Sequence, residues 1–195
     1  MGLKIKMVDD VVVVSGLPRS GTSMLMKMLD AGGIKPLTDE IREADVDNPR
    51  GYYEFERVKK LPQESDWVPR ARGKAVKVLA ELIKHLPQGY NYKVVFMQRR
   101  IPEIIASQKK MLVRRGEDPN KVSDEEMEEL LRNYLMLMKS YINDREDMMV
   151  CYVSYNDLLE HPRREVKALN RFLGGVLDEE EMVSVIEPNL YRNRG

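Results

Sequence analysis

Residues 11–23 read Val-Val-Val-Val-Ser-Gly-Leu-Pro-Arg-Ser-Gly-Thr-Ser, and this stretch decides the fold. Val11 to Val14 form a continuous β-branched run. Apolarity that does not alternate fits a strand buried on both faces, as in a parallel sheet. Ser15 to Gly21 is a turn rich in Gly, Pro and Ser. Beyond it Met24, Leu25, Met28 and Leu29 recur at helical spacing until Gly32-Gly33 stops the pattern. The order is strand, glycine loop, helix.

Gly16 and Gly21 have the spacing of a phosphate-binding loop, G-x-x-x-x-G-K-[ST]. Glycines let the backbone approach an anion closely. Successive N–H groups form an anion nest, and the helix N-terminus adds about half a positive charge. The lysine that a nucleoside-triphosphate enzyme places on the β and γ phosphates is absent: Thr22 stands there. A cation inside the loop, Arg19, takes over the charge. The loop suits a phosphate-like group without suiting ATP.

The rest of the chain alternates strands with helices. Residues 35–72 are irregular, with a short helical candidate at 54–61, and their length marks a functional segment or lid. Residues 74–79 read as a second strand or a helix start, 81–86 as a helix ended by Pro87, and 93–98 as a strand. Pro102 suits the first turn of a helix that carries Ile104, Ile105, Met111 and Leu112 on one face. Ser123 and Glu126 have capping-box spacing. The helix they open bears a long apolar stripe from Met127 to Ile142, read as core or a dimer face. A strand at 148–153, a helical turn at 157–159, and helices at 163–173 and 178–186 complete the pattern. It predicts an α/β three-layer sandwich with a mainly parallel sheet, one domain over 1–195 with 35–72 inserted.

The chain has 195 residues, enough to bury a core without disulfides or metal. Lys and Arg number 32, as do Asp and Glu, so the formal net charge is zero and a global grip on nucleic acid is excluded. Any anion site is a local cluster. One cysteine and two histidines offer no disulfide framework and no zinc set, and a lone Cys151 fits a reducing compartment. No run reaches the length of a membrane span, and the N-terminus lacks a secretory core. The reading is a soluble, cytoplasmic protein.

A second anion element follows the 93–98 strand, in Arg99-Arg100-Ile101-Pro102 through Ser107. Arg99 ends the strand, where ligands bind in open α/β sheets. Together the two elements resemble the sulfotransferases that use 3′-phosphoadenosine-5′-phosphosulfate (PAPS). Pro18-Arg19-Ser20-Gly21-Thr22-Ser23 resembles their 5′-phosphosulfate loop, P-[RK]-S-G-T-[ST]. Residues 96–107 resemble their 3′-phosphate element, an Arg at a strand end and a Ser eight residues later. Arg99 has that separation from Ser107, while Arg100 is nearer Pro102, so either fits. Val153 to Pro162, with Tyr155-Asn156-Asp157-Leu158-Leu159, and Phe172-Leu173-Gly174 resemble the family's Y-E-D-L-L-x-x-P and F-L-G segments. Residues 48–54 resemble an N-P-x-G-Y-x-E segment of short bacterial members.

The resemblance implies a P-loop-like fold, PAPS as donor and 3′,5′-adenosine bisphosphate (PAP) as product. Arg19 then stabilises the sulfonate, Thr22 and Ser23 donate to the 5′-phosphate, and Tyr155 lies in the cofactor site. Glu40 resembles the acid that serves as base in tyrosylprotein sulfotransferases, and Glu54 is the second candidate. Lys77 stands where a cation steadies the leaving oxygen. Arg192 in the basic tail is a further contact to the 3′-phosphate, against a frayed terminus. His85 is set aside as a base because it sits at a helix end too close to Arg99, and His161 before Pro162 is structural. Trp67, Tyr52 and Tyr53 are either acceptor-pocket walls or core anchors. No metal is required.

The transfer itself is consistent with these groups. A trigonal SO₃-like group moves in line between two oxygens, so the protein must bind charge on it and take the acceptor's proton. Two other readings stand beside this one: a P-loop nucleotide kinase or NTPase, and a non-catalytic nucleotide-binding protein on the same scaffold. The acceptor is a small-molecule, glycan or peptide hydroxyl or amine, chosen by residues 35–72 and 114–123.

Overall fold

A computed structural model describes residues 9–39 and 53–186. Its centre is a four-stranded, all-parallel sheet of β1 (Val11–Gly16), β2 (Ala75–Lys77), β3 (Tyr92–Gln98) and β4 (Met148–Ser154), in the order β2-β1-β3-β4. β1 is buried along its whole length because neighbours pair on both edges and helices cover both faces.

Strand alternation sorts the valines into two layers. Val11 and Val13 join Val94 and Phe96 against one layer of short helices and loops, with Met138 and Ile142. Val12 and Val14 join Val95 and Met97 beneath α1 (Thr22–Ala31) and the C-terminal helices. Those are α4 (Tyr155–Glu160), α5 (Pro162–Phe172) and α6 (Glu179–Ser184). The three-layer architecture is as the sequence predicts. The chain leaves β1 for one side of the sheet and returns for β3 on the other. That reversal opens a crevice beyond the carboxyl ends of β1 and β3.

Local differences have simple causes. Residues 74–79, open between strand and helix, form the three-residue β2 beside β1. The helices read at 54–61 and 81–86 are 3-10 helices, Glu56–Lys60 and Ala80–His85, and a third occupies Val68–Ala71. Segments this short close with the tighter i→i+3 bond. α2 (Ile101–Arg114) has Pro102 in its first turn. Ser123 caps α3 (Asp124–Asn143) by accepting from the Glu126 N–H, as capping-box spacing requires. Yet most of the α3 stripe is not core. Met138 and Ile142 are buried, whereas Leu130 and Leu137 are exposed, because only one edge of the stripe faces the sheet.

A clamp fixes the entry of β3 and β4. Arg145 donates two parallel bonds of 2.6 Å to Asp147, and also reaches the Leu86 carbonyl at 3.2 Å. The Tyr92 N–H donates to the Asp147 carbonyl. Arg145 holds the Asp147 carboxyl below the usual carboxylate range, and burial pushes the Tyr92 phenol up. Among the described residues, no helix is long and apolar enough to cross a membrane.

Candidate functional site

The glycine loop fills the crevice between β1 and β3. Three of its residues have positive φ: Gly16 at 151°, Arg19 at 72° and Gly21 at 104°. Arg19 thus sits in the left-handed region that an L side chain enters only at an energetic cost. Its side chain faces α2, where Arg19 Nε donates to Ser107 Oγ at 2.9 Å.

The glycines answer close approaches. A Cβ on Gly16 would lie 2.6 Å from Ser20 Oγ and 2.7 Å from the Met97 carbonyl. One on Gly21 would lie 2.5 Å from Tyr155 Cδ2. Gly21 also stands at the N-cap of α1 without a capping side chain, and the first turn carries no acid. No side chain from the cap therefore competes with an anion for those N–H groups.

A cationic cluster closes the β3 side. Arg99 Nη1 donates to the Arg19 carbonyl at 3.2 Å, and the guanidinium lies 4.5 Å above the Tyr155 ring. Its Nε donates to Glu103 Oε2 at 2.8 Å. Glu103 is 1% exposed, and its other oxygen accepts from Asn156 Nδ2 at 2.9 Å. Arg100 points elsewhere: its side chain is 65% exposed and reaches Glu103 only at 3.9 Å. Of the two arginines, Arg99 is the one that joins the loop.

A second cluster lies on the β2 side. Lys77, largely buried, donates from Nζ to Ser23 Oγ at 3.2 Å and lies 3.8 Å from Glu54. Lys59 reaches Glu54 at 3.7 Å. The Glu54 carbonyl accepts from Thr38 Oγ1 at 2.8 Å, which ties the start of the long irregular segment to its middle. Thr22 and Ser20 are buried in the loop, and Pro18 opens its turn. Glu40, Tyr52 and Arg192 lie outside the described residues.

The family model described as "Sulfotransferase domain" matches residues 9–193. The chain belongs to the sulfotransferase family. Three solved structures share its fold. The sulfotransferase domain of the Synechococcus PCC 7002 olefin synthase superposes with a TM-score of 0.52 at 16% identity, over 95% of this chain and 83% of that one. The sulfotransferase domain from the curacin biosynthetic pathway gives 0.53 at 13%, over 92% and 78%. Mouse sulfotransferase SULT7A1, solved in complex with PAP, gives 0.54 at 15%, over 94% of this chain and 64% of that one. No curated protein sequence matches.

Two residues of the candidate site carry no sequence signal. Glu103 reads as an ordinary acid in the first turn of α2, and Asn156 as one letter of a motif. Only the fold brings both to Arg99. Trp67 is fully buried edge-on against Phe55 at 5.4 Å, so it anchors the core and walls no pocket. Tyr53 is half-buried, with its phenol pushed up by burial and Asp30. Burial and Glu165 push the Cys151 thiol up, which suits a packing residue better than a nucleophile. His161 caps α5.

Proposed function

We propose that this sulfotransferase moves a sulfuryl group from PAPS to a hydroxyl or amine of an acceptor in the cytoplasm, releasing PAP. The observation that carries the reading is the convergence of Arg19, Arg99, Ser107 and Tyr155 on one glycine loop. The loop fits such a donor. Its glycines let the loop pack tightly against Met97 and Tyr155, and Ser20 Oγ is buried with no hydrogen-bond partner among the described residues. The PAP complex of the mouse neighbour supports the same donor class.

In this reading Arg99 and Ser107 hold the 3′-phosphate, Tyr155 lines the nucleoside, and Arg192 adds a tail cation. The loop residues Pro18 to Ser23 hold the 5′-phosphate through backbone N–H groups and the Thr22 and Ser23 hydroxyls. When bound, PAPS supplies an activated sulfuryl group. Arg19 and Lys77 place positive charge where oxygens gain negative charge during transfer. A carboxylate, Glu40 or Glu54, takes the acceptor's proton. Residues 35–72 frame the acceptor side, because their described parts bring Glu54 to Lys77.

PAP release from PAPS, followed over an acceptor panel, tests the reading. Turnover that falls at least a hundredfold in Lys77→Met and in Arg19→Ala supports it. Turnover unchanged in both contradicts it.

A further inference from the structure

Asn156 is the second residue of α4 and is buried. Its amide serves two other elements at once. Nδ2 donates to Glu103 Oε1 of α2 at 2.9 Å, and Oδ1 accepts from the Arg100 N–H, where β3 gives way to α2, at 3.4 Å. The other Glu103 oxygen accepts from Arg99 Nε at 2.8 Å. Guanidinium, carboxylate and amide thus form one row that joins the strand end to α2 and α4. Arg100 Nη1 lies 3.9 Å from the same carboxylate. Tyr155, the residue before Asn156, faces both the Arg99 guanidinium and Gly21. The first turn of α4 therefore touches both anion elements, the strand end and the glycine loop.

The chemistry at 156 is constrained from two sides. The group must donate to a carboxylate and accept from a backbone N–H. A neutral amide does both, whereas an ionised acid only accepts. Glu103, 1% exposed, supplies the negative charge of the row. A second carboxylate at 156 would stand within hydrogen-bond distance of the first, repel it, and compete with any bound anion for Arg99.

We propose that Asn156 is a positioning residue for the donor's 3′-phosphate. It holds Glu103 and the Arg100 backbone so that Arg99 faces that phosphate, and its lack of charge sets the preference for a 3′-phosphorylated nucleotide. This role presupposes the PAPS reading above, and it extends the selection of the 3′-phosphate beyond Arg99 and Ser107 to a residue of α4.

Calorimetric titration of the full chain at pH 8 with PAP, and with adenosine 5′-monophosphate (AMP), which lacks the 3′-phosphate, tests it. The readout is the ratio of the two affinities, because a merely structural loss weakens both ligands alike. Asn156→Asp keeps the shape and adds the second carboxylate. Glu103→Gln with Asn156→Asp exchanges acid and amide across their bond and restores the charge. The expected PAP-to-AMP ratio falls at least tenfold in Asn156→Asp, with AMP affinity within threefold, and returns to within threefold of wild type in the double variant. An unchanged ratio in Asn156→Asp overturns the proposal. So does a double variant that melts like wild type and keeps the tenfold loss. If Asn156→Asp does not fold, the double variant decides on the same two thresholds. Wild type that binds PAP no better than AMP sinks the PAPS reading, and this role with it.

Discussion

Arg19 Nε and Ser107 Oγ meet at 2.9 Å although they lie on different elements, the glycine loop and α2. The contact joins the two anion elements into one site, with Arg99 bridging from below through the Arg19 carbonyl. Ser107→Ala removes the acceptor for Arg19 and one hydroxyl donor to a phosphate. The expected effect is a PAP affinity about ten- to a hundredfold weaker, matching a lost bond to a charged group of about 1.5–3 kcal/mol. Calorimetry reads it, and unchanged affinity would separate Ser107 from the donor site.

Gly21 is strained for any other residue and pressed against Tyr155. Gly21→Ala combines an unfavourable φ of 104° with a 2.5 Å clash. PAP binding falls more than tenfold, and the melting temperature drops. In a Tyr155→Leu background the added cost of Gly21→Ala is smaller, because the ring is gone while the backbone strain remains. A double-mutant cycle on melting temperature measures that coupling.

Glu103 positions Arg99 from beneath. Glu103→Ala removes the buried carboxylate to which Arg99 Nε and Asn156 Nδ2 donate, which costs about 3 kcal/mol of stability. Glu103→Gln keeps the shape and the Asn156 contact while weakening the grip on Arg99. It raises the KM for PAPS severalfold and leaves kcat close to wild type. A fall in kcat with unchanged KM would argue against a positioning role.

The Arg145–Asp147 clamp gives stability a defined pH dependence. Arg145 lowers the Asp147 carboxyl pKa in the folded chain relative to the unfolded value of about 3.9. A depressed folded pKa contributes stability that is fully present above the unfolded value and is lost as pH falls through the folded one. Asp147→Asn therefore lowers the melting temperature by about 3–6 °C at pH 7. The gap to wild type narrows as pH falls below about 4. A gap independent of pH would refute the assignment.

How far the sequence reached follows from what each pattern can encode. β1 and β3 were legible because uninterrupted β-branched and aromatic runs mark strands buried on both faces. β2 was ambiguous because three residues hold too little periodicity to separate strand from helix. The 3-10 helices at Glu56–Lys60 and Ala80–His85 read as helices in the sequence, since five or six residues do not distinguish i→i+3 from i→i+4 bonding. The α3 stripe shows that one face is apolar but not what covers it, so Leu130 and Leu137 looked like core. In the site, the loop and Ser107 were legible as spacing. The choice between Arg99 and Arg100 was not, because neighbouring residues past a strand end point in different directions. Glu103 and Asn156 act only through a contact between α2 and α4 that no local pattern records.

The most direct measurement is a calorimetric titration of the full chain with PAP beside ATP–Mg²⁺, in wild type and Arg99→Ala. The two ligands differ in the feature on which the proposed donor turns, a 3′-phosphate against a β,γ-phosphate tail. The account predicts that PAP binds at least a hundredfold more tightly than ATP–Mg²⁺ and that Arg99→Ala removes the preference. Tighter binding of ATP–Mg²⁺, or binding of neither ligand, would contradict it.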